Sequence, residues 1–250
     1  MKRRSASKIR RTVRAIALTL LLALAGAGGY YAHAGWYRSF LFRDLPAAKT
    51  DPARPAIVML SGDMGDRVGM TPKVAARLHA RGYAIVTVNS LSYFSPGRTA
   101  PEAAALVAGA IHRAMALGGT DHVVLIGQSF GADMLHAALA EFPESARRPI
   151  KAVVLVVPGH DILFRASPVE LAGFETPDAL AWPTASRLTW VPVTCIRGAK
   201  ERNSLCPELA MPNVRRVVLP GGHPLRGDDA ALATAILPAI AGGRPIRSET

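Results

Sequence analysis

The chain has only two cysteines in 250 residues, Cys195 and Cys206. Their spacing matches no metal-binding pattern, so neither a structural zinc site nor any other metal centre is expected. There is no internal repeat, which excludes solenoids and propellers, and no low-complexity tail. Acids are scarce, with 18 Asp and Glu against 30 Lys and Arg for a formal net charge of +12. Such an excess usually suggests a polyanionic partner. Here seven of the positive charges stand together at the start, at Lys2, Arg3, Arg4, Lys8, Arg10, Arg11 and Arg14, with no acid among them. The excess is therefore largely a targeting feature, and nucleic-acid binding is not indicated.

An apolar run follows from Ala15 to Ala25, then glycine-rich residues to Tyr31. A basic segment, an apolar segment and Ala32-His33-Ala34 predict a secretory signal over residues 1–34. The stretch approaches the length of a membrane span, so an uncleaved N-terminal anchor is the alternative. The basic flank keeps the N-terminus cytoplasmic in either case, and there is no convincing twin-arginine motif. The remainder is then exported, in a bacterium to the periplasm, facing the membrane it crossed. Exported cysteines pair, so a Cys195–Cys206 disulfide is expected; closing so short a loop stabilises by about 3 kcal/mol on the chain-entropy model. Two free thiols are the alternative.

Residues 35–55 read as a lead-in broken by Pro46, Pro52 and Pro55. Short, almost wholly apolar runs at 56–60, 84–88, 122–126, 152–157, 193–197 and 214–219 predict six buried strands. Helices are expected from Thr71, as N-cap of Pro72, to Arg81, then over 101–117, 130–141 and 227–241. Residues 89–98 read as a loop, and the proline-bearing 160–190 as a small irregular excursion. Apolar strands alternating with helices mean an α/β fold: one domain over 56–250, with a mostly parallel sheet covered on both faces. An additional edge strand near 40–42 is weakly signalled.

The third strand runs into Gly127-Gln128-Ser129-Phe130-Gly131, and a helix follows. Strand, G-x-S-x-G and helix together predict the nucleophile elbow of an α/β-hydrolase, with Ser129 as nucleophile. One oxyanion N–H belongs to Phe130; the other comes from the loop after the first strand, at Asp63 or Met64. Chain order in this fold is Ser, acid, His. His223, in the glycine-bounded loop after the last strand, fits the base; His160 is the rival. Glu201, after the fifth strand and between the two cysteines, fits the acid, with Asp161 as second candidate. Asp63, Asp66 and Asp133 also fall near the expected mouth. Acids there favour an ester whose acyl part is cationic. No metal or organic cofactor is required.

Several blocks together, Ser61-Gly62-Asp63, Asn89-Ser90-Leu91-x-Tyr93-Phe94, Ile126-Gly127-x-Ser129-Phe130-Gly131-Ala132-Asp133, Cys195-Ile196-x-Gly198, Cys206-Pro207 and Leu219-Pro220-Gly221-Gly222-His223, resemble the VirJ family of bacterial virulence proteins and the C-terminal domain of AcvB. The resemblance runs from about Ile57 to the closing helix. It implies a periplasmic α/β-hydrolase that releases lysine from lysyl-phosphatidylglycerol at the membrane surface, with type IV secretion components as partners. The sequence departs from the family pattern at Met64, Asp66 and Gln128. Two other readings stand beside it: a generic carboxylesterase or thioesterase, and a non-catalytic accessory factor of secretion.

Overall fold

In the structure, a computed structural model, residues 2–34, 40–166 and 176–242 are described. Helix α1 (Lys2–Ala34) contains Ile9–Tyr30, a stretch long and apolar enough to cross a membrane and exposed throughout. At the helical rise that stretch spans about 33 Å, the scale of a bilayer's hydrocarbon core.

The main sheet has seven strands. In chain order β1 is Phe42–Leu45, β2 Ala56–Leu60, β3 Ile85–Val88, β4 Val123–Gln128 and β5 Ile150–Val156. A two-residue hairpin, β6 (Asp161–Ile162) with β7 (Ala179–Leu180), stands apart, and β8 (Val193–Gly198) and β9 (Val214–Leu219) complete the sheet. The spatial order is β1-β3-β2-β4-β5-β8-β9. All neighbours are parallel except β1, which runs antiparallel to β3 with Phe42 opposite Val88.

Strand β1 extends the six-stranded expectation and lies inside the segment read as a lead-in. It is the edge strand weakly signalled near 40–42, found at Phe42–Leu45; its sequence, Phe-Arg-Asp-Leu, has charges in the middle and little apolar alternation. Tertiary partners settle it: Arg43 pairs with Asp66 at 3.6 Å, and Asp44 receives Arg113 at 2.6 and 2.7 Å.

The central strands, β2 and β4 above all, are apolar on both faces because helices cover both. Helices α2 (Met70–His79) and α8 (Asp229–Ile240) pack Val74, Leu78, Leu232 and Ile236 on the face of Ile57, Met59, Val124 and Ile126. On the other face α3 (Ser90–Phe94), α4 (Ala100–Gly118) and α5 (Phe130–Ala140) bury Phe94, Val107 and Leu135 against Val58, Leu60 and Leu125. Two single turns, α6 (Glu144–Arg147) and α7 (Trp182–Ala185), lie at the periphery.

Local chemistry moves three boundaries from their sequence-based positions. Helix α2 begins at Met70 after Gly69 at φ 76°, because the Thr71 hydroxyl donates to Gln128 Oε1 at 2.8 Å instead of capping. Residues 89–98 are not all loop. Asn89 caps α3, accepting the Ser92 N–H at 3.2 Å. Helix α4 starts at Ala100, with Thr99 and Glu102 forming a reciprocal capping box, a device worth roughly 1 kcal/mol. Of the expected excursion, residues 167–175 lie outside the described residues; the rest holds β6, β7 and α7.

Candidate active site

The elbow follows from glycine geometry. A Cβ on Gly131 would stand 2.3 Å from the Ser61 carbonyl oxygen, and one on Gly127 would stand 2.4 Å from that of Gly131. Only glycine allows strand β4 and helix α5 to turn so tightly beside the β2 loop. Ser129 between them takes φ 52° and ψ −128°, a strained conformation for a residue with a side chain. It is held there by its N–H, which donates to the Val156 carbonyl at 2.8 Å, and by its own carbonyl, which accepts from Ala132 N–H at 2.7 Å.

The loops after β8 and β9 are zipped together. Ala199 N–H donates to Leu219 and Lys200 N–H to Gly221, both at 2.8 Å. Here too a glycine is required: a Cβ on Gly198 would lie 2.3 Å from the Gly222 carbonyl oxygen. This contact brings His223 and Glu201 to Ser129. Ser129 Oγ lies 2.8 Å from His223 Nε2, and His223 Nδ1 lies 2.6 Å from Glu201 Oε1. A carboxylate accepts only, so the proton sits on Nδ1 and leaves Nε2 to accept from the serine. Glu201 Oε2 accepts the Gly198 N–H at 3.1 Å. The acid's side chain is 3% exposed and the imidazole 51%. A disulfide joins Cys195 on β8 to Cys206, with Cα atoms 5.5 Å apart, and closes the loop that carries Glu201.

His160 and Asp161, the rival base and acid, pair with one another at 3.2 Å. His160 also reaches Glu208 at 3.1 Å. Neither hydrogen-bonds to Ser129 or His223.

On the acyl side, Phe130 opens helix α5, where the first amides have no intrahelical acceptor. The β2 loop is fixed by Ser61, whose hydroxyl accepts the Ser90 N–H at 3.0 Å and donates to the Gly62 carbonyl at 3.1 Å. Met64 follows on the surface, 40% exposed. Asp63 is half-buried beside it. Burial pushes the Asp63 carboxyl above the ordinary carboxylate range; the neighbouring charge of His223 and the N–H groups of Met64 and of Asp63 itself pull it back.

The other two acids expected at the mouth are turned inward. Asp66 is 5% exposed, pairs with Arg43 and accepts from the Thr87 hydroxyl at 3.2 Å, bracing the β1–β3 edge. Asp133 is buried in the first turn of α5 and accepts the Gly159 N–H at 2.9 Å, tying the chain after β5 to the elbow helix. A buried carboxylate must be paired, and both have found partners inside the fold. Thr71, Ser61 and Gly198 are the positions that sequence reading passed over as site-building residues. Ser61 and Gly198 carried a signal, as members of the blocks that resemble the family; Thr71 carried one only as a helix cap. A cavity of about 340 Å³ lined by Lys151, Val193, Asn213 and Arg215 lies at the opposite, amino-terminal end of the strands.

The family model described as "Bacterial virulence protein (VirJ)" matches residues 55–243. No curated protein matches the sequence. Among solved structures, Est1E from Butyrivibrio proteoclasticus superposes with TM-score 0.57 at 16% identity, covering 80% of this chain and 94% of that one. The α/β hydrolase GrgF from Penicillium sp. sh18 gives 0.59 at 13%, covering 81% and 93%. The esterase domain of a Rhodothermus marinus protein gives 0.54 at 16%, covering 82% and 93%. These likenesses identify the α/β-hydrolase fold.

Proposed function

The chain belongs to the VirJ family of bacterial virulence proteins, and on that premise we propose that it is an exported serine esterase acting on aminoacyl-phosphatidylglycerol, lysyl-phosphatidylglycerol in particular. The observation that carries the reading is the unbroken series Ser129 Oγ, His223 Nε2, His223 Nδ1, Glu201 Oε1, with its two contacts at 2.8 and 2.6 Å.

Ser129 attacks the aminoacyl carbonyl while His223 Nε2 takes the hydroxyl proton. Glu201 holds the imidazole in the required tautomer and stabilises the imidazolium. The tetrahedral oxyanion is held by Phe130 N–H and by an N–H of the Asp63–Met64 segment, at the positive end of α5. His223 then protonates the glycerol oxygen as it leaves. A water molecule, deprotonated by the same nitrogen, releases the amino acid and restores Ser129. The 51% exposure of His223 gives that water a direct approach. The apolar Ile9–Tyr30 helix and the Cys195–Cys206 bridge support an exported domain beside its lipid.

The test is release of lysine from vesicles containing lysyl-phosphatidylglycerol by purified residues 35–250. Wild type should release it, and Ser129→Ala should not while keeping its circular dichroism spectrum. Cleavage of short acyl esters without lysine release would favour the generic esterase. If neither is cleaved, the chain is not an esterase.

A further inference from the structure

Helix α8 stops at Ile240, at the amino-terminal ends of the strands it covers. There the sheet meets a cavity of about 340 Å³, walled by Pro55, Pro192, Val193 and Ile240. Its floor comes from neighbouring strands. Thr194 on β8 stands directly opposite Arg215 on β9 in the parallel ladder, and both line the cavity. Residues opposite one another in a ladder share a face of the sheet, so the Thr194 hydroxyl and the Arg215 guanidinium stand side by side. Lys151, near the start of β5, lines the same space. The rim is fixed in advance by Asn213, whose Nδ2 donates to the carbonyls of Leu188 and Val191, both at 2.6 Å.

The chemistry of this lining is one-sided. No Asp or Glu belongs to it. Arg43, Arg77, Arg98 and Arg113 each pair with an acid elsewhere in the fold, whereas Lys151 and Arg215 have no carboxylate partner among the described residues. Thr194 is only 6% exposed, and its hydroxyl has no hydrogen-bond partner among the described residues. A polar group so nearly buried is costly unless something bonds to it. The carboxyl end of α8 contributes about half a negative charge nearby, which answers only part of two full cations. Apolar walls beside a cationic floor suit a molecule with an anionic head and an apolar body. At about 30 Å³ for each water-sized group, the cavity holds roughly eleven non-hydrogen atoms. We propose that it is a second ligand site, for a compact amphipathic oxyanion. Arg215, Lys151 and Thr194 hold the carboxylate or phosphate head, to which a guanidinium offers two parallel N–H donors, and the apolar body lies against Pro55 and Ile240. The site is at the opposite end of the sheet from Ser129 and stands independently of the esterase reading.

The test is isothermal titration calorimetry of the full-length protein in neutral detergent, with 3-phenylpropanoate and phenyl phosphate as a carboxylate and a phosphate of matching size. Neutral 3-phenylpropanol and inorganic phosphate are the controls. At least one of the two organic anions should bind one to one with a Kd of about 1 mM or lower, about tenfold or more tighter than either control. The tighter of the two identifies the natural head as carboxylate or phosphate. Added salt should weaken the binding, since the lysine is exposed. Arg215→Gln should weaken it about tenfold or more, through loss of the paired donors. Lys151→Gln and Thr194→Val should weaken it less, and kcat on a chromogenic ester should stay within about twofold in all three. Lys151→Gln alters an exposed side chain and keeps the test decisive should Arg215→Gln fail to fold. No binding of either organic anion overturns the proposal. So does 3-phenylpropanol binding as tightly as the anions, which would make the cavity a purely apolar slot, or inorganic phosphate doing so, which would leave the apolar walls without a role. Affinity unchanged in both Arg215→Gln and Lys151→Gln would put the anion elsewhere and overturn it as well.

Discussion

Glu201 offers Oε1 to His223 Nδ1 at 2.6 Å and Oε2 to the Gly198 N–H at 3.1 Å, so one carboxylate grips both the imidazole and the strand end it hangs from. Both of its oxygens are hydrogen-bonded, which is what permits a carboxylate to sit with its side chain almost wholly out of water. Glu201→Gln keeps the shape but puts a donor or a neutral acceptor opposite Nδ1. We expect kcat to fall roughly 10²- to 10⁴-fold, from lost tautomer control and imidazolium stabilisation. His160→Ala should change kcat less than twofold. Steady-state kinetics with a chromogenic ester decides, and the opposite ranking would transfer the base to His160.

The disulfide should stabilise chiefly by restricting the unfolded chain. Its sequence separation is 11, and a loop of that size corresponds to about 3 kcal/mol. Cys195→Ser with Cys206→Ser should lower the urea-unfolding free energy by an amount of that order. It should also lower kcat, because the bridged loop carries Glu201. Equal stability with and without reductant would contradict this.

Gly198→Ala places a methyl against the backbone oxygen of Gly222, at 2.3 Å if nothing moves. Backbone cannot give way as a side-chain tip can, so the two loops must part. The expected outcome is a loss of roughly 1–3 kcal/mol in stability and at least a tenfold loss in kcat. Gly222→Ala is the control, since a Cβ there meets nothing within 4 Å. Similar kinetics for the two variants would show that the loop contact does not place the base.

His136 is fully buried in α5, its Nδ1 2.8 Å from the Thr184 hydroxyl and its Nε2 3.9 Å from Asp133 Oδ1. Burial lowers its pKa from 6.5 to about 3. The unfolded chain thus takes up a proton between pH 6.5 and 3 that the folded chain refuses, and folding is favoured at the higher pH. Stability from this group should be complete above pH 6.5 and decline on acidification, by up to about 1.4 kcal/mol per pH unit. His136→Gln, which does not titrate, should flatten the dependence of the urea midpoint on pH between about 4.5 and 6.5. An unchanged slope would place the titration elsewhere.

The sheet, its parallel sense and the helices behind Ser129 were legible because apolar runs bounded by glycine and proline report burial directly. Ser129, His223 and Glu201 were legible as candidates because each follows a strand in a fixed chain order. Asp66 and Asp133 were misread as mouth acids for the complementary reason. Position after a strand or at a helix start places a backbone, and the direction of a short acidic side chain depends on partners far along the chain. Asp66 answers to Arg43 and Thr87, and Asp133 to Gly159. Strand β1 was only weakly signalled, near 40–42, since its two charges are satisfied only after Arg113 and Asp66 arrive. Thr71 looked like a cap because its distant acceptor, Gln128, cannot be read from local sequence.

Gly131 lies against the Ser61 carbonyl, and Ser61 in turn holds the Ser90 N–H. Three loops from different parts of the chain are thereby locked as a single rigid tier. Nucleophile and oxyanion loop cannot be repositioned one without the other, so a mutation that shifts either is punished twice. Variation is left to the side chains that project from this tier, with Asp63 and Met64 foremost. Divergence in this lineage would therefore proceed by changing what the tier presents, while the spacing of the reacting atoms stays the same.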